Sequence, residues 1–433
     1  MGESNKKTVY RSSNSRRRKS SRMYRLLGAV LVFGIFIFGL SLFGRRSPRQ
    51  PGSMPKISDI FTANKPTVTA TVQDPSSLLS SAQEKVIEDY AYYYGQTLRT
   101  LTPRDISGLY SDPEGEEALL NNTAFKILAS VRGLSQLDLK LEHVTMEYTI
   151  SDVEQTSRGL KVWVTENNAQ KFKHLSDESL SHNRPHVFIL SESGGRWYID
   201  SHLQEEDFYL LAVQAWERAP KSYTPRQKAE YTYNVLMDDA HESIEDNPKW
   251  QDNTTLPSGT YSYDRDRAVE YAGVYWNTRN YRRGYLAYDD FGGNCQNFCS
   301  QSIRAGGLAM DFSGPIGAQW KWYGEYLNES ATASGRSYSW TGVDAFYNYA
   351  TASYSKGVVC VADAPLSIAE KGDILQFGAY GEWRHSVLVT DVIYNEDGSV
   401  KDIVIASNTA DRWNYPAAAY VYTAQRLIHI LGQ

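Results

Sequence analysis

The stretch Gly292-Gly293-Asn294-Cys295-Gln296-Asn297-Phe298-Cys299-Ser300-Gln301 constrains the fold more than any other part of the chain. The two glycines break the backbone, and the residues from Cys295 onward predict a helix that stops at Gly306-Gly307. A cysteine therefore falls on the first turn of a helix. The helix dipole and the N–H groups of that turn stabilise a thiolate, the reactive form of the side chain. The same N–H groups suit an oxyanion hole. Far downstream, Lys371-Gly372-Asp373-Ile374-Leu375-Gln376-Phe377 reads as a turn entering a strand. Arg384-His385-Ser386-Val387-Leu388-Val389-Thr390-Asp391-Val392 reads as the next strand, with His385 at its entry. A further strand, Asp402-Ile403-Val404-Ile405-Ala406, ends at Ser407-Asn408-Thr409. Cys295 is the candidate nucleophile and His385 the candidate base. Asn408 is the candidate for fixing the tautomer of the His385 ring.

The chain has 3 cysteines: Cys295, Cys299 and Cys360. Cys295 and Cys299 share a helix face, where a regular helix disfavours a disulfide between them. Cys299, and Cys360 in the strand-like VVCVADA, read as small core residues. An odd cysteine count in an extracellular chain favours one thiol kept for chemistry. Trp383, two residues before His385, is the best candidate for a substrate groove, with Trp340 and Asn294 as further candidate substrate contacts. Core packing is an equal expectation for any one tryptophan. His429 reads as a satisfied edge residue of the closing strand RLIHILG, and Asp411 as a turn residue.

Residues Leu26 to Phe43, LLGAVLVFGIFIFGLSLF, form an uninterrupted uncharged run. At about 18 residues it is near the lower limit for a helix that crosses a bilayer core. Arg16, Arg17, Arg18, Lys19, Arg22 and Arg25 precede it, and only Arg45, Arg46 and Arg49 follow closely. That bias predicts a cytoplasmic N-terminus and an extracytoplasmic remainder. No small-x-small cleavage site follows before Arg45, so an uncleaved anchor is expected over a signal peptide. Residues 46–73, with Pro48, Pro51, Pro55 and Pro66, read as a tether. A net charge of -5 gives no nucleic-acid signature.

The middle of the chain predicts helices and then strands. Leu79 to Leu101 and about Glu117 to Val131 have helical spacing, and Leu137 to Glu154 and Gly159 to Leu175 alternate as strands. Arg184 to Leu203 reads as two strands joined at Ser193-Gly194-Gly195. This order predicts a small α+β domain and resembles the cone-shaped domains of the nuclear-transport-factor-2-like (NTF2-like) class. Of His143, His174, His182, His186 and His202 only His182 and His186, in a polar loop around Pro185, have tight ligand spacing; all five read as solvated surface residues, with no metal or cofactor expected.

GGNCQNFCSQSIRAGG, the Trp320-Lys321-Trp322-Tyr323 cluster, Ser339-Trp340, the GDILQF and HSVLV pair and the closing RLIHILG resemble the putative amidase domain family of the papain-like, NlpC/P60-related cysteine hydrolases. The resemblance covers about residues 260–433. It implies a helix bearing Cys295 at its start, packed on an antiparallel sheet that bears His385. By the same resemblance Cys295 is the nucleophile, His385 the base and Asn408 the third polar residue. Two positions depart from the family pattern: Asn294 stands where Asp is usual, and Asn408 where His is frequent. The implied activity is cleavage of amide bonds in a peptide or cell-wall substrate. A non-catalytic papain-like binding module and a thioester acyltransferase are the alternatives. The expected layout is a basic cytoplasmic tail (1–25), a transmembrane anchor (26–44), a tether (45–77), an accessory α+β domain (78–215), a linker helix and loop (216–259) and the papain-like domain (260–433).

Overall fold

Short-period alternation builds most of what the chain becomes. The computed structural model describes residues 67–246, 259–281, 285–289, 293–315, 318–322, 336–352 and 356–433. The basic tail, the expected transmembrane anchor and most of the expected tether lie outside these residues. Among the described residues no helix is long and apolar enough to cross a membrane.

The first strand, β1 (Val68–Gln73), falls inside the stretch expected to be a tether. Its β-branched VTATVQ runs parallel to β2 (Leu141–Thr156), with Val68 opposite Val144. Helix α1 (Ser81–Thr100) starts in a capping box, the Ser80 N–H donating to Gln83 Oε1 at 2.7 Å. Its buried Ile87, Tyr90, Ala91, Tyr94 and Leu98 fall at helical spacing and pack on β1 and β2. After α2 (Glu116–Gly133), strands β2, β3 (Gly159–Phe172), β4 (Ser179–Ser193) and β5 (Arg196–Gln204) make successive antiparallel pairs. Then come α3 (Asp207–Arg218) and α4 (Pro225–Asp246). The latter was expected to link domains. Instead it packs on α2 and α3 and buries Leu236 and Ala240.

The C-terminal stretch adds α5 (Arg265–Tyr275), capped by Asp264, whose carboxylate accepts from the Arg267 N–H at 3.0 Å. Next are α6 (Cys295–Ala305) and α7 (Val343–Ala350). Six strands close the chain: β6 (Val359–Ala364), β7 (Ile374–Ala379), β8 (Glu382–Tyr394), β9 (Val400–Ser407), β10 (Asp411–Pro416) and β11 (Ala424–Gly432). The architecture is mixed α+β on a largely antiparallel sheet.

The two stretches expected to be separate domains share one 11-stranded sheet, in the order β1-β2-β3-β4-β10-β9-β8-β7-β11-β6, with β5 also on β4. The join is β4 to β10: Leu180 pairs with Trp413 and His182 with Asp411. Beyond Pro185 the same strand pairs with β5 instead, from His186 to Ser193. Two cores line the C-terminal strands on opposite faces. Leu375, Phe377, Val387 and Val389 belong to a core continuous with α1, α2 and α3. Ile374, Leu388, Ala406 and Ile428 belong to a second, with Phe298, Cys299 and Ile303 of α6. Alternation along β7 and β8 assigns each residue to its face.

Candidate active site

Helix α6 starts where the sequence predicts, and Cys295 is its first residue, 6% exposed. Gly293, at φ +123, makes the reversal that a side chain would strain. The Asn294 amide then locks the turn. Its Oδ1 accepts from the Tyr288 N–H at 3.0 Å and from Asn297 Nδ2 at 2.8 Å, and its Nδ2 donates to Asn408 Oδ1 at 2.5 Å. Asn408 Nδ2 in turn donates to the carbonyls of Tyr275, Trp276 and Thr278 at 2.9, 2.8 and 3.2 Å. The two positions that depart from the family pattern are thus one contact. It ties the end of α5, the start of α6 and the end of β9. The Asn408 amide thus orients the Asn294 turn and not the His385 ring, which differs from the role expected of it.

His385 lies near the start of β8, opposite Phe377 of β7, and is 6% exposed. Alternation turns its ring to the face of Val387 and Val389, while Ser386 and Leu388 face α6. Gln376 Nε2 marks the α6 face, donating to Ser386 Oγ at 3.1 Å and to Gln296 Oε1 at 3.4 Å. The His385 Nε2 lies 3.3 Å from Tyr420 Oη, which is also 3.3 Å from Ser407 Oγ. Tyr420, in the position expected for Asn408, is the hydrogen-bond partner of the imidazole. Burial, then the charges of Arg412 and Arg184, push the His385 ring down to about 3, so it is neutral near pH 7. Burial pushes the Tyr420 hydroxyl up to about 12, so it keeps its proton.

Tyr422 is a second aromatic neighbour of His385. Its ring centroid is 6.2 Å from that of His385 and nearly parallel to it, at 22°. Burial raises the Tyr422 hydroxyl, Asp207 and Tyr420 add to the rise, and so does a charge on Cys295. His385 thus lies beside Tyr420 and Tyr422, on the sheet face opposite the one that packs on α6. Sequence reasoning missed both tyrosines. Their only signal is the spacing of two along the extended Tyr420-Val421-Tyr422, which points both to one side.

The other candidates sort by burial. Trp340 is fully buried, with Nε1 donating to Asn297 Oδ1 at 2.9 Å, so it is core rather than groove wall. Trp383 is half-buried, and the Arg426 guanidinium covers its ring at 4.1 Å. Cys299 is fully buried and its thiol raised by burial; Cys360 is pushed up to about 12 by burial. His429 is not at an edge, because β11 lies between β7 and β6. It is buried, with Nδ1 2.8 Å from Asp373 Oδ2. Asp411 is more than a turn residue: it accepts from Arg279 Nη2 at 3.1 Å and from Asn183 Nδ2 at 2.8 Å.

A small cleft opens beside the Asn294–Asn408 pair, walled also by Arg279, Asn280, Tyr285 and Gln301; Cys295 and His385 are not on its wall. The histidines of the middle stretch are not all solvated, contrary to expectation. His186 and His202 are fully buried, with His186 Nε2 2.8 Å from Glu166 Oε2 and His186 Nδ1 2.9 Å from His202 Nε2. His174 pairs with Asp402 at 2.9 Å. Among the described residues no group of three or more His, Cys, Asp or Glu side chains converges on a metal-sized site.

The chain is 26% identical over 243 residues to a Bacillus subtilis (strain 168) protein called "Uncharacterized protein YhbB", a match that covers 54% of this chain and 67% of the relative. No solved structure matches. Residues 262–431, which hold α5 to β10 and nearly all of β11, match the model of the family described as "Putative amidase domain".

Proposed function

We propose that the chain is a thiol hydrolase of the papain-like kind that cleaves amide bonds. The observation that carries this reading is Cys295 at the first position of α6, inside a segment that matches an amidase family. Cys295 Sγ attacks the carbonyl carbon and the thiol proton passes to His385. As the C–N bond breaks, His385 gives that proton to the leaving amine. Water then hydrolyses the thioester and restores the thiol. The N–H groups of the first turn of α6 face the developing oxyanion. His385 enters this cycle as a neutral imidazole. Tyr420 meets its Nε2 at 3.3 Å, so Nδ1 is the ring nitrogen left to take the thiol proton.

The uncharged run Leu26–Phe43 with its flanking arginines supports a membrane-tethered, extracytoplasmic enzyme, and that location favours cell-wall peptides as substrates. The test is release of new amino groups from peptides and from a cell-wall preparation by the purified chain. Cys295→Ala should abolish release, and Cys299→Ala should leave it intact. Release that survives Cys295→Ala removes the cysteine mechanism. Failure of the wild type on every amide tried, with Cys295 no more reactive than an ordinary thiol, favours the binding module.

A further inference from the structure

The surroundings of His385 are not supplied by the amidase segment alone. Glu206, the N-cap residue of α3, is buried between two guanidinium groups. Arg184 Nε lies 2.9 Å from its Oε1, and Arg412 Nη2 2.8 Å from its Oε2. Burial alone would raise the Glu206 carboxyl; Arg184 and Arg412 outweigh it and hold it down at about 2. Arg412 is itself buried, and its Nε and Nη1 have no hydrogen-bond partner. The guanidinium instead lies over the rings of Tyr415 and Tyr420, 4.3 and 4.4 Å from their centroids. Tyr420 then carries the hydroxyl that meets His385. The backbone around Tyr420 is pinned from the same side. Arg132 Nε donates to the Ala419 carbonyl at 2.8 Å, and the Val421 N–H donates to Asp207 Oδ2 at 2.9 Å. Thr423 Oγ1 donates to Asp239, which also accepts from the Tyr380 N–H at 3.1 Å. Arg132, Asp207 and Asp239 all precede residue 259. The matched family segment therefore holds the imidazole, while the polar residues that fix its neighbours come from outside that segment.

We propose that Glu206 and Arg412 are positioning residues of the thiol hydrolase: they hold Tyr420 against His385, so that residues 116–246 complete the active site rather than merely accompany it. The proposal rests on the catalytic reading above. Its physical content is a lever of three contacts. The Glu206 carboxylate fixes the guanidinium, the guanidinium fixes the ring, and the ring hydroxyl restricts the rotation of the imidazole. The charged and titratable groups around that imidazole are Arg412 on β10, Arg184 on β4, and Tyr420 and Tyr422 after β10. A second influence of Glu206 is possible in principle, namely its charge alone, and it has the opposite sign. Removing one negative charge leaves more positive charge near the thiol and favours the thiolate.

The test is the rate at which iodoacetamide alkylates Cys295 in the full chain, followed by peptide mass from pH 5 to pH 9, with thermal unfolding as the check on folding. Tyr420→Phe keeps the ring under Arg412 and removes only the hydroxyl; it should slow Cys295 about tenfold at pH 7 and displace the pH profile. Glu206→Gln should slow it in the same direction. The double variant should be no slower than Tyr420→Phe, because both changes cut one lever. If Glu206→Gln does not fold, Glu206→Asp, which withdraws the same charge by one methylene, decides by the same criterion. A Glu206 variant that speeds alkylation, leaves it unchanged, or adds its full effect to Tyr420→Phe overturns the lever. A wild-type Cys295 no more reactive than an ordinary thiol overturns the catalytic reading, and the lever with it. A reactive Cys295 indifferent to Glu206 overturns the lever alone.

Discussion

At the scale of single residues, burial decides what each candidate can do. His385 is held at about 3 by burial and by Arg412 and Arg184, against 6.5 for an ordinary histidine. The unfolded chain therefore takes up a proton that the folded chain refuses. Stability falls as the pH drops from about 6.5 toward 3, by at most about 1.4 kcal/mol per pH unit for this one group. Urea midpoints measured from pH 7 to pH 4 should fall less steeply in His385→Gln than in the wild type. Equal slopes would mean that the native ring takes its proton as readily as a solvated one. Trp340 makes the opposite point. Fully enclosed beside Trp320, with ring centroids 4.9 Å apart, it is a core side chain. Trp340→Ala should cost about 3–5 kcal/mol in urea unfolding. A variant of near wild-type stability and altered substrate preference would return Trp340 to the groove.

At the scale of elements, the Asn294–Asn408 contact joins three of them. Asn408→Ala leaves the Asn294 amide and the carbonyls of Tyr275, Trp276 and Thr278 short of a partner, and should cost about 1–3 kcal/mol. Because the resemblance implies that Asp is usual at the first place and His frequent at the second, Asn294→Asp with Asn408→His should be tolerated better than either change alone. Strict additivity in thermal unfolding would show that the pair is not one unit. The same elements show what a sequence can and cannot disclose. The start of α6 was legible because Gly293 and the cysteine helix are local signals, and β8 because seven β-forming residues run together. Strand β1 was not, because VTATVQ follows a Pro- and Ser-rich stretch and finds its partner in β2, at Val144. Strand β10 was not, because DRWNYP is short, holds Asn414 at φ +51 and ends in proline. Tyr420 as the partner of His385 was invisible for a further reason. A tyrosine after a strand carries no mark of its use, and Asn408 lay at the sequence position where an orienting residue was expected.

At the scale of the whole molecule, the pairing of β4 with β10 makes one sheet out of what reads as two regions. Fold recognition works on residues 262–431, yet that segment alone has an open β10 edge and leaves Arg412 buried without Glu206. Residues 260–433 expressed by themselves should be poorly soluble and lack a sharp thermal transition. A soluble fragment with a cooperative transition and a reactive Cys295 would show that the preceding residues are dispensable. The glutamate and arginine that join the halves, Glu206 and Arg412, are 206 positions apart. At that separation no local sequence pattern couples them. The most direct measurement is the alkylation rate of Cys295 at pH 6 in the wild type and in His385→Asn. If His385 is the base of a thiol hydrolase, the wild-type thiol reacts much faster than an ordinary cysteine of pKa about 8.5, and the variant loses at least about tenfold of that rate. An equal rate in the two proteins would contradict the pairing of Cys295 with His385.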